Sequence, residues 1–219
     1  TIRHHSPSPN LSPGTGPTLI DAHTVEAPLA SVTGTTGINL NTLGGNDTFQ
    51  IDLNGGNPLP ASGLVFNAGS GTDTILGHNA SITWNITGAG AGNLEGLGIA
   101  FTGVENLTGN SARDVFHFAT GSSLGGTIEG GAGTNWLDYS DYTGAITVNL
   151  ATNFASRVSR GAKNIDHVLG SSTGASRLTG SAAGNILAGR GRNNVITAGA
   201  GRSLLIGGFG KNSLIGGAA

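Results

Sequence analysis

Residues 171–215 read, in blocks of nine, SSTGASRLT, GSAAGNILA, GRGRNNVIT, AGAGRSLLI and GGFGKNSLI, with no insertion between blocks. The eighth place of every block is aliphatic: Leu178, Leu187, Ile196, Leu205 and Leu214. The first four places are small or glycine-rich in most blocks, apart from Arg190, Arg192 and Phe209. A period of nine suits neither the 3.6-residue turn of an α-helix nor a plain antiparallel meander. It suits a chain that turns, runs as a strand for about three residues and turns again, with one inward side chain per strand. The five aliphatics are then the spine of a stack, and the chain is all-β.

Composition agrees with such a stack. Glycine makes up 40 of 219 residues, far above the usual share of about 7%, so tight turns must be frequent. No glycine recurs at every third place, which excludes collagen. Charged residues are 10% and aromatics 5% of the chain, too few for an ordinary globular core inside a charged shell. Stacked turns need only a few inward Val, Ile, Leu or Phe each. There is no Cys, hence no disulfide framework and no thiolate metal site. No apolar run approaches the 18 or so residues of a membrane span. The lack of a starting Met points to a chain processed or excised from something longer.

The net charge of −2 hides a polarity. Residues 1–150 hold eleven acids and two bases, a formal −9, whereas residues 151–219 hold eight bases and one acid, a formal +7. An acidic end and a basic end favour contact between copies, or docking of the basic end on an anionic polymer. Arg190, Arg192, Arg202 and Lys211 are the candidate residues for acidic polysaccharide.

Three segments are expected. Residues 1–18 carry four of the seven prolines and form a flexible or extended arm, since they cannot bury enough apolar surface to offset ordering. Residues 19–170 alternate short β-rich runs with Gly, Asn and Asp turns, and residues 171–219 are the nonapeptide tail. A longer recurrence overlies the middle segment. GSGTDTIL at 69–76 returns as GAGTNWL at 131–137, SITWNI at 81–86 as AITVNL at 145–150, and GVENLTG at 103–109 as NIDHVLG at 164–170. The unit is about 62 residues, read as three turns of about 20 residues each. The Gly/Ala-rich GAGAGNLEGLG at 88–98 reads as a protruding loop or wide turn.

The blocks follow the nonapeptide G-G-x-G-x-D-x-U-x of parallel β-rolls, and on that pattern the tail resembles the RTX, or hemolysin-type, repeats of large bacterial surface and secreted proteins. The resemblance implies a right-handed parallel β-helix or β-roll solenoid, outside the cell. It also implies calcium held by the sixth-place Asp. Here the sixth places are Ser176, Asn185, Asn194, Ser203 and Asn212. A calcium ion needs about six to eight oxygen ligands, typically with carboxylates among them. The tail is therefore expected to hold none, and its Asn and Ser to hydrogen-bond the turns as a ladder. Asp47, Asp73 and Asp114 occupy the equivalent place earlier in the chain and are the candidates for an isolated calcium site.

For catalysis, the densest polar-aromatic stretch is WLDYSDYTG, with Trp136, Asp138, Tyr139, Asp141 and Tyr142. Paired carboxylates can serve a polysaccharide lyase or epimerase as acid and base. The preferred reading is that the two Asp end a strand and the aromatics pack it, with His78, His117 and His167 standing singly. In the last blocks the places flanking the spine turn apolar: Ile186, Val195, Leu204, Ile206 and Ile215. Stacked, these form patches that another sheet or chain can cover, and the repeat runs to SLIGGAA without a polar cap. The function expected is non-enzymatic and structural: a secreted or surface protein that self-associates, end to end, without a cofactor. The alternatives are an adhesin or polysaccharide-binding module and an RTX-type calcium-binding secretion module. Neither nucleic acid nor membrane insertion is expected.

Overall fold

The structure, a computed structural model, describes residues 37–217 except 52, 54, 55 and 58, together with four short strands before them. Every regular element among the described residues is a β-strand. The longest sheet has eleven strands. In spatial order they are Asn10–Leu11, Ile38–Asn41, Leu64–Asn67, Ile99–Thr102, Ala91–Leu94, Ile82–Gly88, Asp114–Phe118, Trp136–Asp138, His167–Leu169, Ile186–Arg192 and Leu204–Phe209. A second sheet runs Ile2–His5, Thr48–Ile51, Thr74–Leu76, Asn106–Thr108, Ile128–Glu129 and Ala162–Lys163. A third runs Phe154–Ala155, Ile146–Asn149, Ser176–Thr179, Val195–Thr197 and Ser213–Ile215.

Most pairings are parallel, and apart from the antiparallel runs 18–26, 82–102 and 146–155 successive strands of the chain alternate between sheets. Parallel neighbours cannot be joined by a tight hairpin, so the chain crosses to another sheet before it returns. In the tail each return takes 18 residues: Ile186 pairs with Leu204, and Leu178 with Ile196, which pairs with Leu214. Two nonapeptides thus make one return, with odd and even blocks in different sheets.

Inward residues form one continuous core, whose filling changes along the chain. Over residues 49–139 aromatics fill much of it. Phe49 stacks on Phe66 at 4.9 Å between ring centroids, Trp84 on Phe116 at 5.8 Å and Phe118 on Tyr139 at 4.8 Å. One row of the long sheet then continues Trp84, Phe116, Leu137, Val168, Leu187 and Leu205 in register. The core narrows toward the tail, and side-chain volume falls with it, as dense packing requires.

Two expectations are corrected. Residues 88–98 do not protrude: Ala91–Leu94 is an antiparallel strand of the long sheet, between Ile82–Gly88 and Ile99–Thr102. The small residues there permit close approach, since a Cβ on Gly92 would stand 2.1 Å from the Asn85 carbonyl oxygen and 2.7 Å from the Phe101 ring. Nor is the 62-residue unit a whole number of turns. Thr74–Leu76 lies in the second sheet and its sequence counterpart Trp136–Asp138 in the long one. Ile82–Gly88 and Ile146–Asn149 are likewise in different sheets. In the arm, Ile2–His5 and Asn10–Leu11 run antiparallel to Thr48–Ile51 and Ile38–Asn41 of the same chain, and Thr18 opens the strand Thr18–Leu19, paired antiparallel with Val25–Glu26; the other residues of 1–18 lie outside the described residues.

Candidate functional site

The sixth-place residues line the turns, and each links one return to the next. The Ser176 N–H donates to Asn194 Oδ1 at 2.8 Å and the Asn194 N–H to Asn212 Oδ1 at 3.0 Å. On the other turn the Asn185 N–H donates to Ser203 Oγ at 3.3 Å. The amide groups donate as well: Asn194 Nδ2 reaches the Gly191 carbonyl at 2.9 Å and Asn212 Nδ2 the Gly208 carbonyl at 3.0 Å. An Asn here satisfies a backbone donor above and a carbonyl beside it, which a carboxylate cannot do. Such buried turns would otherwise leave polar groups unpaired.

The same ladder extends into the earlier sheets. Asp47 N–H donates to Asp73 Oδ1 at 2.7 Å, Asp73 N–H to Glu105 Oε2 at 2.8 Å and Asp114 N–H to Asn135 Oδ1 at 3.0 Å. Asp47, Asp73 and Asp114 are all buried, but Asp114 belongs to the long sheet and the other two lie beside the second. Asp114 spends its oxygens on the Ile82 and Asn110 N–H groups, each at 3.2 Å. Burial pushes its carboxyl up, while those N–H groups and the nearby Trp84 indole pull it back. Burial also raises Asp73, with Asp47 and Glu105 adding repulsion and the Asp47 N–H opposing. Asp47 and Asp73 are neighbours in adjacent turns while Asp114 lies apart in the long sheet, and among the described residues no three His, Cys, Asp or Glu are placed to hold a metal. The residues present do not fit the calcium site that the nonapeptide pattern implies.

Of the spine residues, Leu178, Leu187 and Ile196 are fully buried, Leu205 is partly buried and Leu214 is 49% exposed. The basic residues fall into two groups. Arg190 pairs with Gly208 and Arg192 with Phe209, and the Lys211 N–H donates to Asn193 Oδ1 at 3.1 Å. These three share the turns that lead from the long sheet to the third. Arg202 sits on the turns that lead back, where its carbonyl oxygen would be 2.6 Å from a Cβ on Gly184.

A polar cluster stands on the outer face of the long sheet. Register puts His117 beside Asp138, and Val115 and His167 on either side of Trp136. The His117 ring is held from both sides, Nδ1 being 3.3 Å from Asp138 Oδ2 and Nε2 3.2 Å from Asp141 Oδ2. Asp141 is fixed by its turn, whose carbonyl accepts from the Thr120 hydroxyl at 2.9 Å. The Asp138 contact, with the two charges, raises His117 against the effect of burial. Burial pushes Asp138 up, yet hydrogen bonds from His117 and Ser140 outweigh it and hold the carboxyl below the usual range. Trp136 meets the His167 ring edge-on at 4.5 Å and the Arg113 guanidinium at 5.8 Å. The two tyrosines turn inward: Tyr139 is buried and donates to the Ser156 carbonyl at 2.6 Å, and Tyr142 packs under Arg157 at 5.0 Å.

No protein-family model matches this sequence, and no curated protein matches it.

Chemically, the cluster is a clamped ion pair. Both imidazole nitrogens face carboxylates, which leaves the ring no lone pair for a substrate proton. Sequence reasoning treated His117 as solitary. The signal was a spacing: His117 and Asp138 are separated by the same 21 residues that place Asp114 against Asn135. Beyond the cluster the outer face becomes apolar. The row through Trp136 continues His167, Ile186 and Leu204, and the row through Asp138 continues Leu169, Ala188 and Ile206. Leu204 is 56% and Ile206 47% exposed.

Proposed function

We propose that this chain is a non-enzymatic structural segment of an extracellular protein, built as a right-handed parallel β-helix that narrows into a β-roll over residues 171–219, and that copies of it associate. The solenoid reading is supported by the regular parallel returns and by the backbone-to-side-chain ladder that ties one return to the next. The non-enzymatic reading is supported by the clamped state of His117. The association reading is carried by one observation: in the outer rows Trp136, Ile186 and Leu204, with His167 between the first two, and Leu169 and Ile206, with the buried Ala188 between them, form a largely apolar strip on a sheet face. Scattered apolar residues are ordinary on surfaces, whereas contiguous strips mark contacts.

Light scattering on eluting protein tests the association. Mass per particle is expected to rise with concentration in the wild type and to stay at 21.6 kDa in Leu204→Glu/Ile206→Glu, whose exposed sites tolerate the change. A wild type that remains monomeric at all concentrations sinks the proposal.

A further inference from the structure

The association reading leaves open how two copies meet. We infer that two copies meet face to face through the long sheet about a twofold axis parallel to its strands, placing the His117–Asp138–Asp141 cluster of each copy against the Arg190–Arg192–Lys211 edge of the other. The inference rests on that reading and adds a partner orientation to it.

The argument starts from the order of the strands. Trp136–Asp138, His167–Leu169, Ile186–Arg192 and Leu204–Phe209 are consecutive neighbours in the sheet. Three strand spacings separate the first from the last, about 14 Å, so the strip is compact. A twofold axis along the strands, midway across it, reverses their order but keeps their direction. It sets Trp136 of one copy opposite Leu204 of the other, and His167 opposite Ile186. Apolar rows then cover each other along their length.

Keeping the strand direction brings C-terminal strand ends together. Asp138 closes its strand and Asp141 lies in the turn beyond it, 72% exposed. Arg190 and Arg192 close theirs, Lys211 follows Leu204–Phe209, and all three are exposed. Two carboxylates therefore face three cations, and symmetry repeats the contact. With His117 protonated the cluster keeps a net −1, and its mutual contacts leave less side-chain freedom to lose on association. At the N-terminal ends the same axis brings Arg113 towards Arg202, a like-charge approach that symmetry also repeats. The other face-to-face twofold, perpendicular to the strands, reverses strand direction but keeps strand order; it would bring the carboxylates towards Arg113 at the N-terminal strand ends and set Lys211 towards Arg202, a like-charge contact. Surface ion pairs add little affinity each, but they choose orientation.

Charge reversal measures the pairing. By sedimentation equilibrium at low salt, Asp141→Lys and Arg192→Asp are each expected to weaken the dimer about tenfold, and the variant carrying both to recover to within about threefold of wild type. Losses that simply accumulate in the double variant overturn the orientation. If Leu204→Glu abolishes association while Asp141→Lys leaves it unchanged, copies do associate through this face but not in this arrangement. A monomeric wild type removes both. Asp141 and Arg192 are exposed, and circular dichroism verifies that each variant folds.

Discussion

Asp73 and Asp114 occupy the same place of the nonapeptide pattern in turns of different sheets and answer differently to one substitution. Asp73 uses Oδ1 to accept the Asp47 N–H, while its Oδ2 is buried without a partner. Asn keeps the acceptor and supplies an N–H₂ group where Asn135 donates to the carbonyls of Gly131, Ala132 and Asn164. Asp73→Asn should stabilise the fold at pH 7 by about 1 kcal/mol. Asp114 accepts an N–H on each oxygen, so an amide there turns a donor against a donor, and Asp114→Asn should cost about 1–3 kcal/mol. The pH dependence follows from linkage. Both carboxyls are raised on folding, so their favourable contribution is complete below the ordinary carboxylate range and is lost as pH rises through the folded values. Urea melts at pH 7 and pH 4 should therefore find the Asp73→Asn advantage only at the higher pH. An equal advantage at both pH values would show that ionisation of Asp73 is not its origin.

At the scale of strands, the spine residues are identical in sequence position and unequal in burial. Leu187 and Ile196 are fully enclosed and Leu214 is half exposed. Leu187→Ala and a truncation of Ile196 to Ala should each cost about 2–5 kcal/mol, and Leu214→Ala less than about 1 kcal/mol, because little of its surface is withdrawn from water. Thermal melts of the three variants check the ranking. Since Ser and Asn saturate the turns, adding a calcium chelator should leave the wild-type melting temperature unchanged, and a fall of several degrees would contradict the ladder account. The stacked turns are legible in the nonapeptide because its period is constant, but one spine is not what the structure holds: the ninth residue changes sheet and the eighteenth returns, so Leu178, Ile196 and Leu214 form one row and Leu187 and Leu205 another. The 62-residue recurrence misled because returns of unequal length rotate a repeated motif from one sheet to another. The strand at Ala91–Leu94 escaped notice since its glycines are there for close approach, which composition alone does not distinguish from a loop. His117 was hidden for a related reason, its partners being supplied by the following return and not by its neighbours in sequence.

Over the described residues, every parallel strand hydrogen-bonds only to its immediate neighbours in its sheet, while core filling is uneven. Strands Ile82–Gly88 and Asp114–Phe118 bring Trp84, Ile86, Phe116 and Phe118 into full burial. Leu204–Phe209 and Ser213–Ile215 keep Leu204, Ile206, Leu214 and Ile215 between 47% and 56% exposed. In arrays with only nearest-neighbour contacts, stability is close to a sum of local terms and interfaces, and opening free energies then differ along the chain. Amide hydrogen exchange at dilute protein should accordingly be fastest in 204–215 and slowest in 82–137. The two tryptophans sharpen the test. Trp84 is buried in the aromatic part and Trp136 lies on the outer face of the adjoining returns, so their fluorescence should report one late transition in urea. Loss of protection in the tail should precede it. Uniform exchange with a single coincident transition would mean that the narrow tail and the aromatic middle fold as one unit, and that the ladder couples returns more strongly than their packing does.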